Sequence, residues 1–275
     1  MSEATAVESS KAVIEVRNLT KDRESFLRKP LRVLDGLSLK VEKGMTYGLV
    51  GPNGAGKTTT IKLLLGLLRA DQGSIAVLGA PPGDKAALCK IGFLPESPYF
   101  YSHLTGREFL TFSGQLFGLS GKALNERIEQ LLATVSLQKK ADERTGRYSK
   151  GMLQRLGLAQ ALINDPELLF LDEPMSGLDP IGRMDMRRII EDLKKGGKTV
   201  FFNSHLLPDV AALCGPVKEV LRRGQREAVR RRAQRRPGLC RRRRGQPFVK
   251  LRRLLCIELR NVATKLAGQK QMQPA

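Results

Sequence analysis

Gly51-Pro52-Asn53-Gly54-Ala55-Gly56-Lys57-Thr58-Thr59 stands between an apolar run, Met45 to Val50, and a helix-like run, Ile61 to Leu68. The first run has the length and residue types of a buried strand. Strand, glycine-rich turn, then helix is the order a phosphate cradle requires. Glycines let consecutive backbone N–H groups point inward with no Cβ in the way, and the helix N-terminus adds the positive end of its dipole. In the pattern G-x4-G-K-[ST], Lys57 reaches the β and γ phosphates and the Thr58 hydroxyl binds Mg²⁺.

A second apolar run, Leu168 to Leu171, ends in Asp172-Glu173. Four apolar residues in succession suit a central parallel strand, buried on both faces. Carboxylates at the C-terminal end of such a strand face the ligand crevice. Hydrolysis of a phosphoanhydride divides its work between a carboxylate that holds magnesium through water and one that polarises the attacking water. Asp172 is assigned to magnesium and Glu173 to the general base. Alone, the pair would read as a solvated strand end; beside the glycine-rich loop it gains a ligand.

The bulk properties set bounds. A chain of 275 residues, 41% apolar with 27 Gly and 14 Pro, holds one large α/β domain or two small ones. Its longest stretches without a charged residue, such as Phe109 to Gly121, run to thirteen residues, against about 20 for a membrane-spanning helix. No span is expected. Met1 to Lys11 is polar and lacks a basic region followed by an apolar one, so a cytoplasmic location is expected. Cys89, Cys214, Cys240 and Cys256 are scattered, with only His103 and His205 to supplement them. Neither a zinc site nor a disulfide framework is expected.

Charge divides the chain in two. Of the formal charge of +21, residues 1–214 carry 29 basic and 24 acidic side chains, whereas residues 215–275 carry 19 basic against Glu219, Glu227 and Glu258. The first part reads as an ordinary globular domain. The second has the composition of a polybasic segment.

Three more stretches complete the pattern: Tyr148-Ser149-Lys150-Gly151-Met152-Leu153-Gln154-Arg155, Ser176-Gly177-Leu178-Asp179, and Phe201-Phe202-Asn203-Ser204-His205. In order and spacing, residues 12–214 resemble the nucleotide-binding domain of ABC transporters. The resemblance implies an α/β P-loop NTPase fold with a RecA-like core, an N-terminal antiparallel β region and an inserted helical subdomain. It places the core at 12–96 and 156–214, the helical signature subdomain at 97–155, and the Arg-rich tail at 215–275.

The resemblance also implies ATP and Mg²⁺ as ligands and ATP hydrolysis as the activity. A glycine-rich loop and two carboxylates enclose ATP from one side only, while phosphoryl transfer needs charge stabilisation around all the γ-phosphate oxygens. In the family the other side comes from a second subunit. Ser149 and the N–H of Gly151 donate across a head-to-tail dimer of the chain with itself or a paralogue. Asp179 lies in the D-loop, and His205 contacts the γ phosphate and positions the attacking water. Glu96 stands at the magnesium-sensing loop, and Phe26 is the aromatic that stacks on adenine. An integral-membrane subunit is the expected partner, and no specific nucleic acid is.

The sequence departs from the family at three places. Glu96 stands where the family usually has Gln, and the tail breaks off the pattern after Cys214. Lys150 and Met152 replace the commoner Gly and Gln, a variant similar to exporters with separately encoded membrane subunits. The tail reads either as an anionic-lipid or nucleic-acid arm or as a segment translated out of frame. Two alternative functions follow, a soluble ABC-type ATPase acting on nucleic acid or ribosomes and an ATP-binding domain with hydrolysis impaired by a damaged C-terminus. Leu124, Ile128, Leu131, Leu132 and Val135 recur at helical spacing and predict a core-facing helix. Tyr99, Phe100 and Tyr101 fit either a docking surface for the membrane subunit or core packing.

Overall fold

The computed structural model describes residues 12–23 and 31–214. Phe26 and the tail, with the arm and frameshift readings placed on it, lie outside the described residues. The described chain divides into two compact units. One is drawn from residues up to Ser97 and from Pro166 onward, the other from Pro98–Asp165.

The first unit holds seven strands: β1 (Ala12–Arg23), β2 (Leu31–Glu42), β3 (Thr46–Val50), β4 (Gln72–Val77), β5 (Ile91–Leu94), β6 (Leu168–Asp172) and β7 (Thr199–Ser204). They form an antiparallel sheet in the order β2-β1-β4 and a parallel sheet in the order β3-β7-β6-β5. Every residue of β6 and β7 is buried, as expected of parallel strands covered on both faces. Phe170 and Phe201 meet at 5.6 Å between ring centroids, and Tyr47 stacks on Phe201 at 5.3 Å.

Register positions the site. Val50 pairs with Ser204 and Asp172 with Asn203, so β3, β6 and β7 end at one edge. The glycine-rich loop, the acidic pair and His205 all leave from that edge.

The helices of this unit are α1 (Lys57–Leu64), α2 (Lys85–Leu88), and, after the α3 to α5 of the other unit, α6 (Pro180–Lys195) and α7 (Leu207–Cys214). The apolar run to Leu68 overshoots the end of α1. Gly66, at φ 74°, is left-handed. Leu67 N–H donates to Lys62 O at 2.8 Å and Gly66 N–H to Leu63 O at 3.1 Å, a Schellman stop. Helix α7 packs on β3 so closely that a Cβ at Gly48 would lie 2.4 Å from Val210 Cγ1. Only glycine admits that approach.

The second unit is helical, with α3 (Gly106–Leu116), α4 (Gly121–Thr134) and α5 (Lys150–Ala161). Helix α3 opens with a reciprocal capping box between Thr105 and Glu108. Helix α4 buries Leu124, Ile128, Leu131 and Leu132, with Val135 buried one residue past its end. Gly114 lets α3 approach α4, since a Cβ there would lie 2.3 Å from Leu124 Cδ1. Helix α5 lies wholly in this unit.

The aromatic stretch divides its roles. Phe100 packs edge-on against Phe109 at 4.9 Å, and Tyr101 against Phe112 at 6.0 Å. Tyr99 is 55% exposed.

Candidate active site

The loop between β3 and α1 ends at a helix start whose first N–H groups no side chain caps. The α1 N-cap, Gly56, sits at φ 98°, no side chain caps the helix, and its first turn holds no acid. An uncapped N-terminus has orphan N–H donors and a positive dipole, which is anion-binding chemistry. Gly54, at φ 83°, is a second left-handed position. Gly51 N–H donates to Ser204 O at 3.3 Å, tying the start of the loop to the end of β7. Ala55 N–H donates to Pro52 O at 3.1 Å, a turn that carries Asn53 and Gly54 between them.

Lys57 is buried, and its ammonium is held three ways. It donates to Gly51 O at 2.7 Å and to Pro52 O at 3.3 Å, and it pairs with Glu173 Oε1 at 3.1 Å. The contact with Oε1 is an ion pair without hydrogen-bond alignment. Its reach across the loop puts a positive charge at the face of the loop amides. Thr59 follows Thr58 in the first turn of α1, and the hydroxyl of the next residue, Thr60, closes on Gly56 O at 3.0 Å.

Both acidic residues are buried at the end of β6. Asp172 Oδ1 accepts from Thr58 Oγ1 at 3.1 Å and from Asn203 Nδ2 at 2.7 Å. Two donors on one oxygen leave Oδ2 to a cation or its water. Burial pushes the Asp172 carboxyl above its ordinary pKa. The bonds from Asn203 and Thr58 oppose that shift, and the charges of Glu96 and Glu173 add to it. A divalent cation would relieve all three unfavourable causes. Glu96 itself is exposed.

Glu173 is a non-glycine residue at φ 50°, a costly conformation that surrounding bonds must hold. Its N–H donates to Asn203 Oδ1 at 2.7 Å and its carbonyl accepts from Ser176 N–H at 3.0 Å. His205 Nδ1 lies 2.8 Å from Glu173 Oε2, and His205 N–H donates to the same oxygen at 3.2 Å. The Glu173 carboxylate is thereby held between His205 and Lys57.

The other expected residues cap helices. Asp179 is the N-cap of α6 and accepts from Gly182 N–H at 3.1 Å. Ser149 caps α5, accepting from Met152 N–H at 3.3 Å, and Gly151 lies in that first turn. Ser149 and Gly151 belong to the second unit; Lys57, Thr58, Glu96, Asp172, Glu173, Asp179 and His205 belong to the first. Asn203 stands in the His205 stretch, and the sequence pattern gives it no role of its own. The signal it offered was an amide in the apolar run Phe201-Phe202, two residues before His205.

Residues 34–176 match the family profile described as ABC transporter. The chain belongs to the ABC transporter family. A relative described as an uncharacterized ABC transporter ATP-binding protein of Nostoc sp. is 55% identical over 66% of this chain and 55% of its own length. The Nod factor export ATP-binding protein I of Burkholderia lata is 42% identical over 74% of this chain and 66% of its own. The chain thus spans between half and two thirds of these relatives. Among solved structures, an ATP-binding subunit of an ABC transporter aligns with TM-score 0.63 at 29% identity, over 74% of this chain and 83% of that one. ABC ATP-binding domains bind ATP.

Magnesium fits the same residues. Among the described residues no group of three or more His, Cys, Asp or Glu could hold a metal by itself. One hydroxyl and one carboxylate with an open oxygen suit a cation that keeps its waters and shares phosphate oxygens, as Mg²⁺ does.

Proposed function

We propose that this chain is an ATP-binding and ATP-hydrolysing subunit that powers export through a separate transmembrane partner. One observation carries the proposal. The Glu173 carboxylate is fixed between Lys57 and His205, one residue from an Asp172 already bonded to Thr58.

The loop from Gly51 to Thr59, through backbone N–H groups such as those of Gly54, Gly56 and Thr58, and the Lys57 ammonium bind the phosphates, so that departure of Lys57 from Glu173 toward phosphate frees the base. Thr58 and Asp172 would hold Mg²⁺, which supplies charge to the β and γ phosphates when bound. Glu96 reaches the same region by charge and takes the place of the family's usual amide. Glu173 accepts a proton from the attacking water. His205 orients that carboxylate and faces the γ phosphate. Phe26 is proposed to stack on adenine.

Hydrolysis by one subunit leaves the far side of the γ phosphate unprotected. Ser149, Gly151 and Asp179 of a second copy or a paralogue, arranged head to tail, would close it. Export is supported by the relative named Nod factor export ATP-binding protein I. Among the described residues no helix is long and apolar enough to cross a membrane. We place the chain in the cytoplasm, peripheral on the inner face of the cell membrane.

ATP turnover by the purified chain, with Glu173→Gln as the control for contaminating enzymes, tests the proposal. Turnover that vanishes in the control supports it. Turnover unchanged by Glu173→Gln, or stimulated steeply by polynucleotide, overturns it.

A further inference from the structure

Asn203 is 0% exposed in a strand whose preceding neighbours are Phe201 and Phe202. A buried amide costs free energy unless every polar atom finds a partner, whereas an apolar residue would suit this strand at no such cost. Both partners of Asn203 belong to the acidic pair. Its Nδ2 donates to Asp172 Oδ1 at 2.7 Å, and its Oδ1 accepts from Glu173 N–H at 2.7 Å.

The orientation of the amide is determined by chemistry. An ionised carboxylate only accepts and a backbone N–H only donates, so a flipped amide would lose both bonds. The parallel register sets Asp172 opposite Asn203, which puts the two side chains on the same face at bonding distance. Neither Asp nor Gln is an equivalent replacement. An ionised Asp has no hydrogen to give, and Gln is one carbon longer than the register allows.

We infer that Asn203 is a positioning residue for ATP hydrolysis, holding the two carboxylates in their separate roles with a single amide. The donor end keeps Asp172 Oδ1 occupied and so turns Oδ2 toward the cation. The acceptor end anchors the left-handed Glu173 peptide, from which the base side chain departs at a fixed angle. The proposal takes Asp172 and Glu173 in the roles given above. Asn203 acts through those two residues, which take both ends of its amide.

The test uses the full chain with Asn203→Ala and the near-isosteric Asn203→Leu, which removes donor and acceptor together without adding charge. Loss of such an outer contact is expected to lower kcat about 10–100-fold. KM should stay within about threefold, because the phosphate-binding loop is untouched. A second readout is free of turnover. Binding of a fluorescent ATP analogue is measured in the Glu173→Gln background with and without Mg²⁺. Metal-free binding should match the parent, and the tightening produced by Mg²⁺ should shrink in both Asn203 variants.

A kcat like the parent's with unaltered Mg²⁺ tightening overturns the inference. So does equal loss of binding with and without Mg²⁺, which would make Asn203 a residue of the fold alone. A parent that shows Mg²⁺-dependent binding but no Glu173-dependent turnover sinks the hydrolytic role and leaves the Mg²⁺ comparison to decide Asn203.

Discussion

Buried polar side chains do different work in the two units. In the helical unit three of them close backbone carbonyls: Ser113 Oγ donates to Phe109 O, Thr145 Oγ1 to Tyr101 O, and the Tyr148 hydroxyl to Lys140 O. In the parallel-sheet unit Lys57, Asp172, Glu173 and Asn203 satisfy one another. The first arrangement repairs what folding leaves unpaired. The second concentrates charge that folding alone does not need, and substitution should therefore affect stability in one unit and function in the other.

The strongest way to break that contrast is Glu173→Gln. A general base contributes about 10²–10⁴-fold to rate, so turnover should fall by that factor while nucleotide binding persists. Single-turnover hydrolysis and a binding titration measure the two separately. If binding fell with turnover, Glu173 would be acting in the fold.

The matching change in the helical unit is Leu132→Ala. Leu132 is fully buried in α4, and the cavity should cost about 2–5 kcal/mol by denaturant titration. Below its own melting temperature the variant should keep the parent's KM for ATP. A large KM change would show that the units do not divide the labour as described.

Asp172→Asn sharpens the contrast by predicting a gain. Its amide oxygen can still accept from Thr58 and Asn203, and the cost of a buried charge disappears. The Asp172 pKa is raised by burial, so the folded state holds its proton more tightly than the unfolded chain does. That carboxyl therefore costs stability as pH rises through its folded pKa, and costs nothing in acid below its ordinary value. The variant should melt higher near neutral pH, with the gap closing as pH falls. Turnover should be lost. A lower melting temperature at neutral pH would mean that Asp172 holds the fold together.

The smallest expected effect is at Thr105. Replacing this α3 cap by Ala should cost about 1 kcal/mol, read as a shift in denaturation midpoint with kcat unaltered. A change in kcat would again blur the two units.

Local patterns carried much of the site. Lys57, Thr58, Asp172, Glu173 and His205 were legible because each lies in a short motif at the end of an apolar run. Helix α4 was legible because four of its apolar residues fall on one face at helical period. The limits of α1 were less so. Its start at Lys57 hides inside the glycine-rich loop, and its stop depends on a left-handed Gly66 that apolar periodicity cannot register. Tyr99, Phe100 and Tyr101 looked alike as neighbours in sequence, yet Phe100 and Tyr101 pack on rings of α3 while Tyr99 meets Tyr101 and stays 55% exposed.

By itself the sequence determined the phosphate-binding loop, the strand that ends in two acids and the charge boundary after Cys214. These depend on backbone freedom, polarity and composition within a few residues. Tertiary structure alone decided that Asn203, 31 residues from Asp172 in the chain, shares a face with it, that two donors meet one carboxylate oxygen, and that Lys57 pairs with Glu173. Those facts follow from the register of β6 against β7 and the approach of β3. Register is a sum over many long-range contacts that no short pattern encodes.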